Sequence, residues 1–245
     1  MAAPGQQGDP RPARKQARFQ EILAVAWDVA NEQGLAALSM GEVARRVGIR
    51  QPSLYAYVDS KMGLYDAMFG QAARALMDKA MAVSYSDDPR QAVRQIAEVL
   101  FEYRPANPAG GQLLFLRTIP GFQPSTESYA IAEEFLAFTV DKLSAAGVTD
   151  PADVDIYTAI VGGLANSQAS NEPGGDRWTR HLDTVLGMFF RYIDDKAAGD
   201  ARGKRLVTGP STTKNSPTDR ARPAPAGTTR RRRPAAPPSP GGGPQ

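Results

Sequence analysis

Residues 39–61, SMGEVARRVGIRQPSLYAYVDSK, decide the fold because they predict two short helices joined by a tight turn. Ser39 and Glu42 have the S-x-x-E spacing of a capping box, in which the hydroxyl accepts a hydrogen bond from a backbone N–H and the carboxylate reaches back. Gly48 is expected to end the first helix, because glycine adopts the left-handed backbone conformation without a steric penalty. The second helix is expected to begin near Gln51.

This second helix is predicted to be only about two turns long. Leu54 and Val58 lie four residues apart and therefore share one face. Gln51, Ser53 and Tyr57 are left for another surface. Because so short a helix is unstable alone, the surrounding chain must support it, and its polar face is available for binding.

Hydrophobic periodicity predicts helices along the whole ordered chain. Since no segment alternates with period two, a sheet is not expected. Two proline-rich breaks separate the fifth, sixth and seventh helices. The nine predicted helices span about 15–33, 39–47, 51–58, 60–83, 89–104, 110–119, 125–146, 151–170 and 176–196.

The stretch GIRQPSLYAYVDSK, residues 48–61, resembles the helix-turn-helix of the tetracycline-repressor family. The resemblance extends upstream over residues 22–34 and downstream to about residue 69. Val58 stands where most members have Phe, and Arg50 stands where a Ser or Thr cap is usual. The family pattern, a small turn residue and then x-x-x-[ST]-[LI]-Y-x-[HY]-[FV]-x-x-K, is carried here by Ser53, Leu54, Tyr55, Tyr57, Val58 and Lys61.

The resemblance implies an all-α protein with an N-terminal three-helix DNA-binding domain and a C-terminal helical domain for ligand binding and dimerisation. We expect a basic arm over 1–13, the helix-turn-helix domain over 14–60, the regulatory domain over 61–198 and a basic tail over 199–245. The arm and the tail are expected to be disordered, because their Pro- and Gly-rich composition cannot bury enough apolar surface to offset the entropy of ordering.

Charge is distributed unevenly around the net value of +3. Residues 199–245 contain ten Lys or Arg and two Asp or Glu, whereas residues 81–198 contain nine basic and sixteen acidic residues. Residues 81–198, the acidic body, should be repelled by DNA. Only residues 1–80, the head, and the tail are therefore expected to approach it. The four-Arg run 230–233 is compatible with a solubilising tail or with attraction to phosphates.

Composition argues against several classes of protein. The chain has no Cys, which excludes disulfides, zinc ribbons and thiol catalysis, and its one His, His181, makes a Ser–His–Asp triad hard to build. We expect no catalytic site, no metal and no cofactor. The sequence contains no apolar run of about 18 residues, so a membrane span is not expected. Because residues 1–13 also lack a signal-peptide core, a cytoplasmic protein is expected.

The second helix of a helix-turn-helix enters the major groove with its first residues at base edges. The Gln51 amide can pair with adenine and the Arg50 guanidinium with guanine. The resemblance implies that Tyr57 and Lys61 hold the phosphate backbone, and Ser39 can do the same. The predicted DNA-binding residues are Ser39, Arg50, Gln51, Ser53, Tyr57 and Lys61.

Other residues near this helix are predicted to have structural or general roles. The family pattern implies that Tyr55 packs in the core of the head. Arg45 and Arg46 are expected to be solvated helix charges. A basic arm of Arg11, Arg14, Lys15 and Arg18 is either a solvated terminus or a phosphate contact.

The body is rich in aromatic residues, which either form its core or line a site. The resemblance implies a ligand pocket among the fourth to eighth helices. The prolines that interrupt segment 105–124 favour it as an adjustable wall. We expect a largely apolar small molecule as effector. Arg117, within the apolar run LLFLRTIP, is either a surface charge or an anchor for an anionic ligand. The predicted ligand-binding residues are Phe101, Phe115, Arg117, Phe135 and Phe138.

The eighth and ninth helices are long and amphipathic, and each can pair with its two-fold mate in a four-helix bundle. The resulting homodimer would place two heads about one DNA turn apart, which matches a palindromic operator. The predicted interface residues are Tyr157, Val161, Leu164, Trp178, Leu186 and Phe190.

These features favour a homodimeric repressor that a small-molecule ligand releases from double-stranded DNA. One alternative is an activator or architectural DNA-binding protein without such a ligand. A helical enzyme is disfavoured, because the chain has one His, no Cys and no clustered carboxylates, and because the helix-turn-helix would have no purpose in it.

Overall fold

All regular elements among the described residues are helical, as predicted. The computed structural model describes the backbone of residues 10–207 and the side chains of residues 11–199. Short 3-10 turns precede α2 and α9. The helices are α1 (Pro10–Gln33), α2 (Met40–Val47), α3 (Gln51–Leu54), α4 (Lys61–Met81), α5 (Pro89–Ala106), α6 (Pro108–Phe115), α7 (Thr126–Ala145), α8 (Pro151–Asn171) and α9 (Leu182–Val207).

The termini of α2 follow from its sequence. The Ser39 hydroxyl accepts a 3.2 Å hydrogen bond from the Glu42 N–H, which confirms the predicted cap. The reciprocal half of the capping box does not form, because the Glu42 carboxylate is engaged by Arg45 and Arg46 instead. Gly48 ends the helix in the left-handed conformation, with φ 77° and ψ 31°, which is also as predicted.

The helix α3 is shorter than expected. It has four residues, and the chain then continues in a turn through Tyr57. Leu54 and Val58 are buried against the head, and the Val58 N–H donates to the Leu54 carbonyl oxygen at 3.1 Å. This fragment is therefore held by tertiary packing, as its low intrinsic stability requires.

One hydrophobic core joins the helix-turn-helix to the body. It contains Ile22 of α1, Val43 of α2 and Tyr65 of α4, and it continues into Ala109 and Leu113 of α6. The head therefore shares its core with α4 and α6. A displacement of α6 would alter the packing at the base of the head, where residues 35–38 lie.

The ends of the chain differ from the predicted boundaries. The helix α9 begins at Leu182 after a 3-10 turn, and it continues to Val207, past the predicted start of the tail at residue 199. The helix α1 begins at Pro10, within the predicted arm. Residues 1–9 and 208–245, including the four-Arg run, lie outside the described part of the chain, so their predicted disorder stays a prediction.

No helix within the described residues has the length and apolarity needed to cross a bilayer.

Replacing Gly48 with Ala should destabilise the head, because a Cβ in the left-handed conformation costs about 1–2 kcal/mol. The expected result is a lower free energy of unfolding in chemical denaturation. The matched control is Gly163→Ala in α8, where no atom beyond the adjacent residues and the local helix backbone lies within 4 Å of the added Cβ. That substitution should be neutral or stabilise by up to about 1 kcal/mol. Equal stability of the Gly48→Ala variant and the natural chain would contradict this account of the turn.

Candidate functional site

The exposed face of α3 is polar. Arg50, which precedes the helix, and Gln51 and Ser53 within it are exposed, whereas Leu54 and Val58 point into the head. The Gln51 side chain lies beside α2, so that a Cβ on Gly41 would come within 3.4 Å of Gln51 Oε1. Three of the predicted DNA-binding side chains are therefore accessible at α3.

Tyr55 does not pack in the core of the head, contrary to expectation. Its side chain is 45% exposed. The reason is the early end of α3, since the turn that follows directs Tyr55 outward and leaves Tyr57 half-buried against the head's core. Tyr55 is thus an exposed, polar-tipped aromatic residue directly after α3, and sequence reasoning missed it.

Lys61 and Ser39 lie at two helix N-termini. Ser39 is exposed at the start of α2, and Lys61 opens α4 directly after the Ser60 cap. The Lys61 ammonium lies 5.6 Å from the centre of the Tyr65 ring and 3.4 Å from the Ala36 carbonyl oxygen. No Asp or Glu of the described residues forms an ion pair with Lys61, so its charge is available to an anion at these N–H groups.

Arg45 and Arg46 are paired within the head. Arg46 contacts the Glu42 carboxylate at 2.7 Å and the Glu32 carboxylate of α1 at 2.7 Å. The hydrogen bonds from Arg45 and Arg46 lower the pKa of Glu42 to about 2. These charges connect α1 to α2 and are partly neutralised, which makes them weak candidates for phosphate contacts.

The basic arm divides into two parts. Arg18 donates to the Val47 carbonyl oxygen at 3.1 Å and pairs with Glu21 at 2.6 Å. It therefore stabilises the C-terminal end of α2. Arg14 and Lys15 are exposed on the first turns of α1.

A pocket of about 680 Å³ lies in the body. Its walls come from α4, α5, α6, α7, α8 and the segment 116–124 between α6 and α7. Three of the five predicted ligand-binding residues line it, namely Phe115, Arg117 and Phe135. A cleft of this volume with mostly apolar walls is typical of a small-molecule site. Its other apolar wall residues include Phe69, Ile96, Leu100, Leu113, Ile119 and Phe122.

Phe101 and Phe138 do not line this pocket, so their predicted role needs correction. Phe101 points to the other side of α5, into a core shared with α8 and α9. The Phe138 ring packs edge-on against Tyr85, with centroids 5.5 Å apart. The rotational phase of each helix decides these directions, and aromatic content alone does not reveal it.

Arg104 is a pocket residue that sequence reasoning missed. It is only 6% exposed and lines the pocket from α5. A signal was present, since Val93, Ala97, Leu100 and Arg104 follow one another at helical spacings of four, three and four. That periodicity places the guanidinium on the apolar stripe.

Aromatic contacts connect the pocket to the head. Phe122 lines the pocket, and its ring centroid lies 5.8 Å from that of Tyr65 and 6.3 Å from that of Phe69. The fully buried Tyr65 donates its hydroxyl to the carbonyl oxygen of Leu35, in the turn between α1 and α2. A wall of the pocket is thus two contacts away from the helix-turn-helix.

The far end of segment 116–124 is fixed to α4. The Asp66 carboxylate accepts hydrogen bonds from the Ser125 N–H at 2.6 Å and from the Ser125 hydroxyl at 2.9 Å. Ser128 donates to the same carboxylate at 3.0 Å. These bonds hold the start of α7 against α4, the helix that carries Tyr65.

Four of the six predicted interface residues are buried within one chain. Tyr157, Val161, Leu186 and Phe190 are at most 6% exposed and belong to the core formed by α5, α8 and α9. They are therefore unavailable to a second copy in this conformation, which corrects the prediction. The half-buried Leu164 and Trp178 remain partly accessible. Large apolar side chains that the structure does expose on these helices include Ile156 and Met188, at 38% and 59%.

Comparison with protein families identifies the head. The profile of the family described as bacterial regulatory proteins, tetR family, matches residues 22–68. This match spans the second half of α1, all of α2 and α3 and the first turns of α4, which are the elements that position Gln51, Tyr57 and Lys61.

Known relatives extend the similarity into the body. The chain is 26% identical over 190 residues to the class A tetracycline repressor protein from transposon 1721 of Escherichia coli, covering 74% of this chain and 82% of the other. It is 30% identical over 96 residues to the helix-turn-helix-type transcriptional activator FasR of Mycolicibacterium smegmatis, covering 39% and 44%. A crystal structure of a tetR-family transcriptional regulator from Streptomyces coelicolor has the same fold, with a TM-score of 0.57 at 23% identity over 78% of this chain and 87% of that one.

Replacing Tyr65 with Phe should weaken the junction between α4 and the head. The Leu35 carbonyl loses one donor but keeps its bond from the Leu38 N–H, so the expected loss is about 1 kcal/mol of unfolding free energy. Chemical denaturation measures it. Tyr55→Phe serves as the control, since the exposed hydroxyl should change stability by less than about 0.5 kcal/mol. Equal losses in both variants would show that the Leu35 contact does not stabilise the junction.

Proposed function

We propose that this chain is a homodimeric repressor of the tetR family of bacterial regulatory proteins, as its similarities support, and that a small-molecule ligand releases it from a palindromic DNA operator. The observation that carries this proposal is the connection from the pocket through Phe122 and Tyr65 to Leu35. In this proposal, the pocket and the polar face of α3 communicate through the core that α1, α2, α4 and α6 share. The proposal places the protein in the cytoplasm, together with its DNA target.

The exposed face of α3 supports a role in reading bases. In this proposal α3 enters the major groove, and Gln51 and Arg50 approach adenine and guanine edges. Lys61, Tyr57 and Ser39 contact the phosphates on either side. The exposed Tyr55 joins this surface as a further candidate contact. Ser53, between Gln51 and Tyr55 in sequence, completes the set.

Release requires that the ligand bind one arrangement of the heads better than the other. A hundredfold loss of operator affinity corresponds to a coupling free energy of about 2.7 kcal/mol, within the range of roughly 1–3 kcal/mol usual for allosteric proteins. Occupation of the pocket would displace segment 116–124, and the Phe122–Tyr65 contact would transmit the displacement to the base of the head.

A homodimer is needed to read both halves of a palindrome. The proposed interface uses the exposed faces of α8 and α9, including Ile156, Leu164 and Met188. Leu164 belongs to the predicted interface as well, whereas Ile156 and Met188 are new members on the same two helices. Exposed apolar side chains on neighbouring helices are compatible with an isologous interface between two copies.

An activator is the second candidate. The match to the activator FasR is 30% identical and includes part of the chain only, 39% of its length. The surface that contacts DNA would be the same in both cases, since activation and repression differ in the position of the operator relative to the promoter. An operator affinity that no effector alters would favour an activator or an architectural protein without a ligand.

The first test concerns DNA reading. Gln51→Ala should change the preferred sequence and cost about 1–3 kcal/mol of binding at one base position, because a base contact is lost. Lys61→Ala should weaken binding to all sequences alike, because phosphate contacts position the protein without reading bases. Selection of bound DNA from a random pool, followed by affinity measurements, distinguishes the two effects. An unchanged sequence preference and affinity for Gln51→Ala would remove Gln51 from the base-reading set.

The second test concerns assembly. Ile156→Asp combined with Met188→Asp should convert a dimer to monomers at micromolar concentration, because unpaired charges would be buried at the interface. Met81→Asp is the matched control, since Met81 at the end of α4 is 61% exposed and lies outside α8 and α9. Sedimentation measures both. A natural chain that sediments as a monomer, or a double variant that stays dimeric, would contradict the proposed interface.

The third test concerns control by a ligand. A metabolite panel is screened for compounds that raise the melting temperature, and operator affinity is then measured with and without each binder. We expect at least one binder to lower operator affinity. If compounds that bind tightly in the pocket leave operator affinity unchanged, release by a ligand is wrong, and the activator or architectural function is preferred.

A further inference from the structure

The guanidinium of Arg104 lies in the wall of the pocket with little compensation for its charge. Its one hydrogen bond among the described residues runs from Nη1 to the Gly162 carbonyl oxygen of α8, and at 3.4 Å it is long. The guanidinium carbon lies 4.3 Å from the centre of the Phe115 ring. The Nε atom is buried and donates no hydrogen bond.

Carboxylates of the described residues do not neutralise this charge. No Asp or Glu among them lies within ion-pairing distance of Arg104, although the other buried or half-buried arginines, such as Arg46 and Arg94, have such partners. Glu133 also lines the pocket, but it is exposed and forms no ion pair with Arg104. The exposed Arg117 on the segment 116–124 adds a second positive charge to the wall.

A purely structural role does not explain this arrangement. A buried charge is costly unless it is paired and hydrogen-bonded. Burial lowers the pKa of Arg104 from its ordinary value, but a guanidinium stays protonated in proteins. Its aliphatic stem packs against Gly111, a contact that Leu or Met could make without the charge. The stack on Phe115 offsets only part of the desolvation cost.

We propose that the pocket binds an amphiphile with a single carboxylate group, which pairs with Arg104 while an apolar body fills the space between α5, α6 and α7. This inference rests on the proposed control by a ligand and defines the chemical class of that ligand. A planar guanidinium matches the two oxygens of a carboxylate. The mostly apolar remainder of the 680 Å³ pocket matches an alkyl or aromatic body.

The test compares acids with neutral analogues of the same skeleton on the full chain. Dodecanoate and dodecanamide form one pair, and 2-naphthoate and 2-naphthamide form the other. Calorimetric titration should show that at least one acid binds more tightly than its amide by about ten- to a hundredfold, because a hydrogen bond to a charged group is worth more than a neutral one. This comparison needs no variant.

Arg104→Gln should remove the preference, so that the acid binds no more tightly than the amide. Arg104→Lys keeps the positive charge and should retain part of the preference for the acid. Arg117→Gln, at an exposed position, should change that preference by less than the Arg104 variants do. Circular dichroism and melting temperature establish that each variant is folded. If Arg104→Gln does not fold, the acid and amide comparison on the natural chain and on Arg104→Lys decides.

The proposal is overturned if neither acid binds more tightly than its amide, including the case in which no probe binds. It is also overturned if folded Arg104→Gln keeps the full preference for the acid. Operator affinity, measured separately, distinguishes this inference from the proposed function. An acid that binds through Arg104 without changing operator affinity leaves the carboxylate site standing and contradicts release by a ligand. If a neutral compound releases the operator and no acid is preferred, release by a ligand stands and the carboxylate site is contradicted.

Discussion

Tyr65 makes the two contacts on which the rest of the structure depends. Its ring packs against Phe122, and its hydroxyl donates a hydrogen bond to the Leu35 carbonyl oxygen. Tyr65 is completely buried, so its ring and its hydroxyl must both find partners as α4 enters the core. The ring meets the wall of the pocket and the hydroxyl meets the base of the head. A packed core contains few voids that could absorb a movement of one side chain. A displacement of the pocket wall is therefore expected to reach the base of the head.

Local signals in the sequence predicted the elements well. The cap at Ser39 and the left-handed Gly48 depend on residues within a few positions of one another, and both are present. The head could be predicted for the same reason, since its pattern lies within one continuous stretch. By contrast, Tyr55 required knowledge of where α3 ends, which depends on packing against α1 and α2.

The sites in the body depended on information that the sequence does not carry locally. An amphipathic helix shows that one face is buried but does not show whether a second chain or the same chain buries it. Tyr157 and Phe190 illustrate this ambiguity, because each packs within its own chain. The same holds for the pocket, where the rotational phase of α7 places Phe135 in the wall and turns Phe138 away from it.

Hydrogen exchange provides the most direct measurement of whether the pocket and the head are coupled through this shared core. The amides of residues 35–38, at the base of the head, are compared in the free protein and in the protein saturated with the tightest binder of a thermal-shift screen. The account predicts that exchange at residues 35–38 changes together with exchange in segment 116–124. Changes confined to the walls of the pocket, with residues 35–38 unaffected, would contradict it.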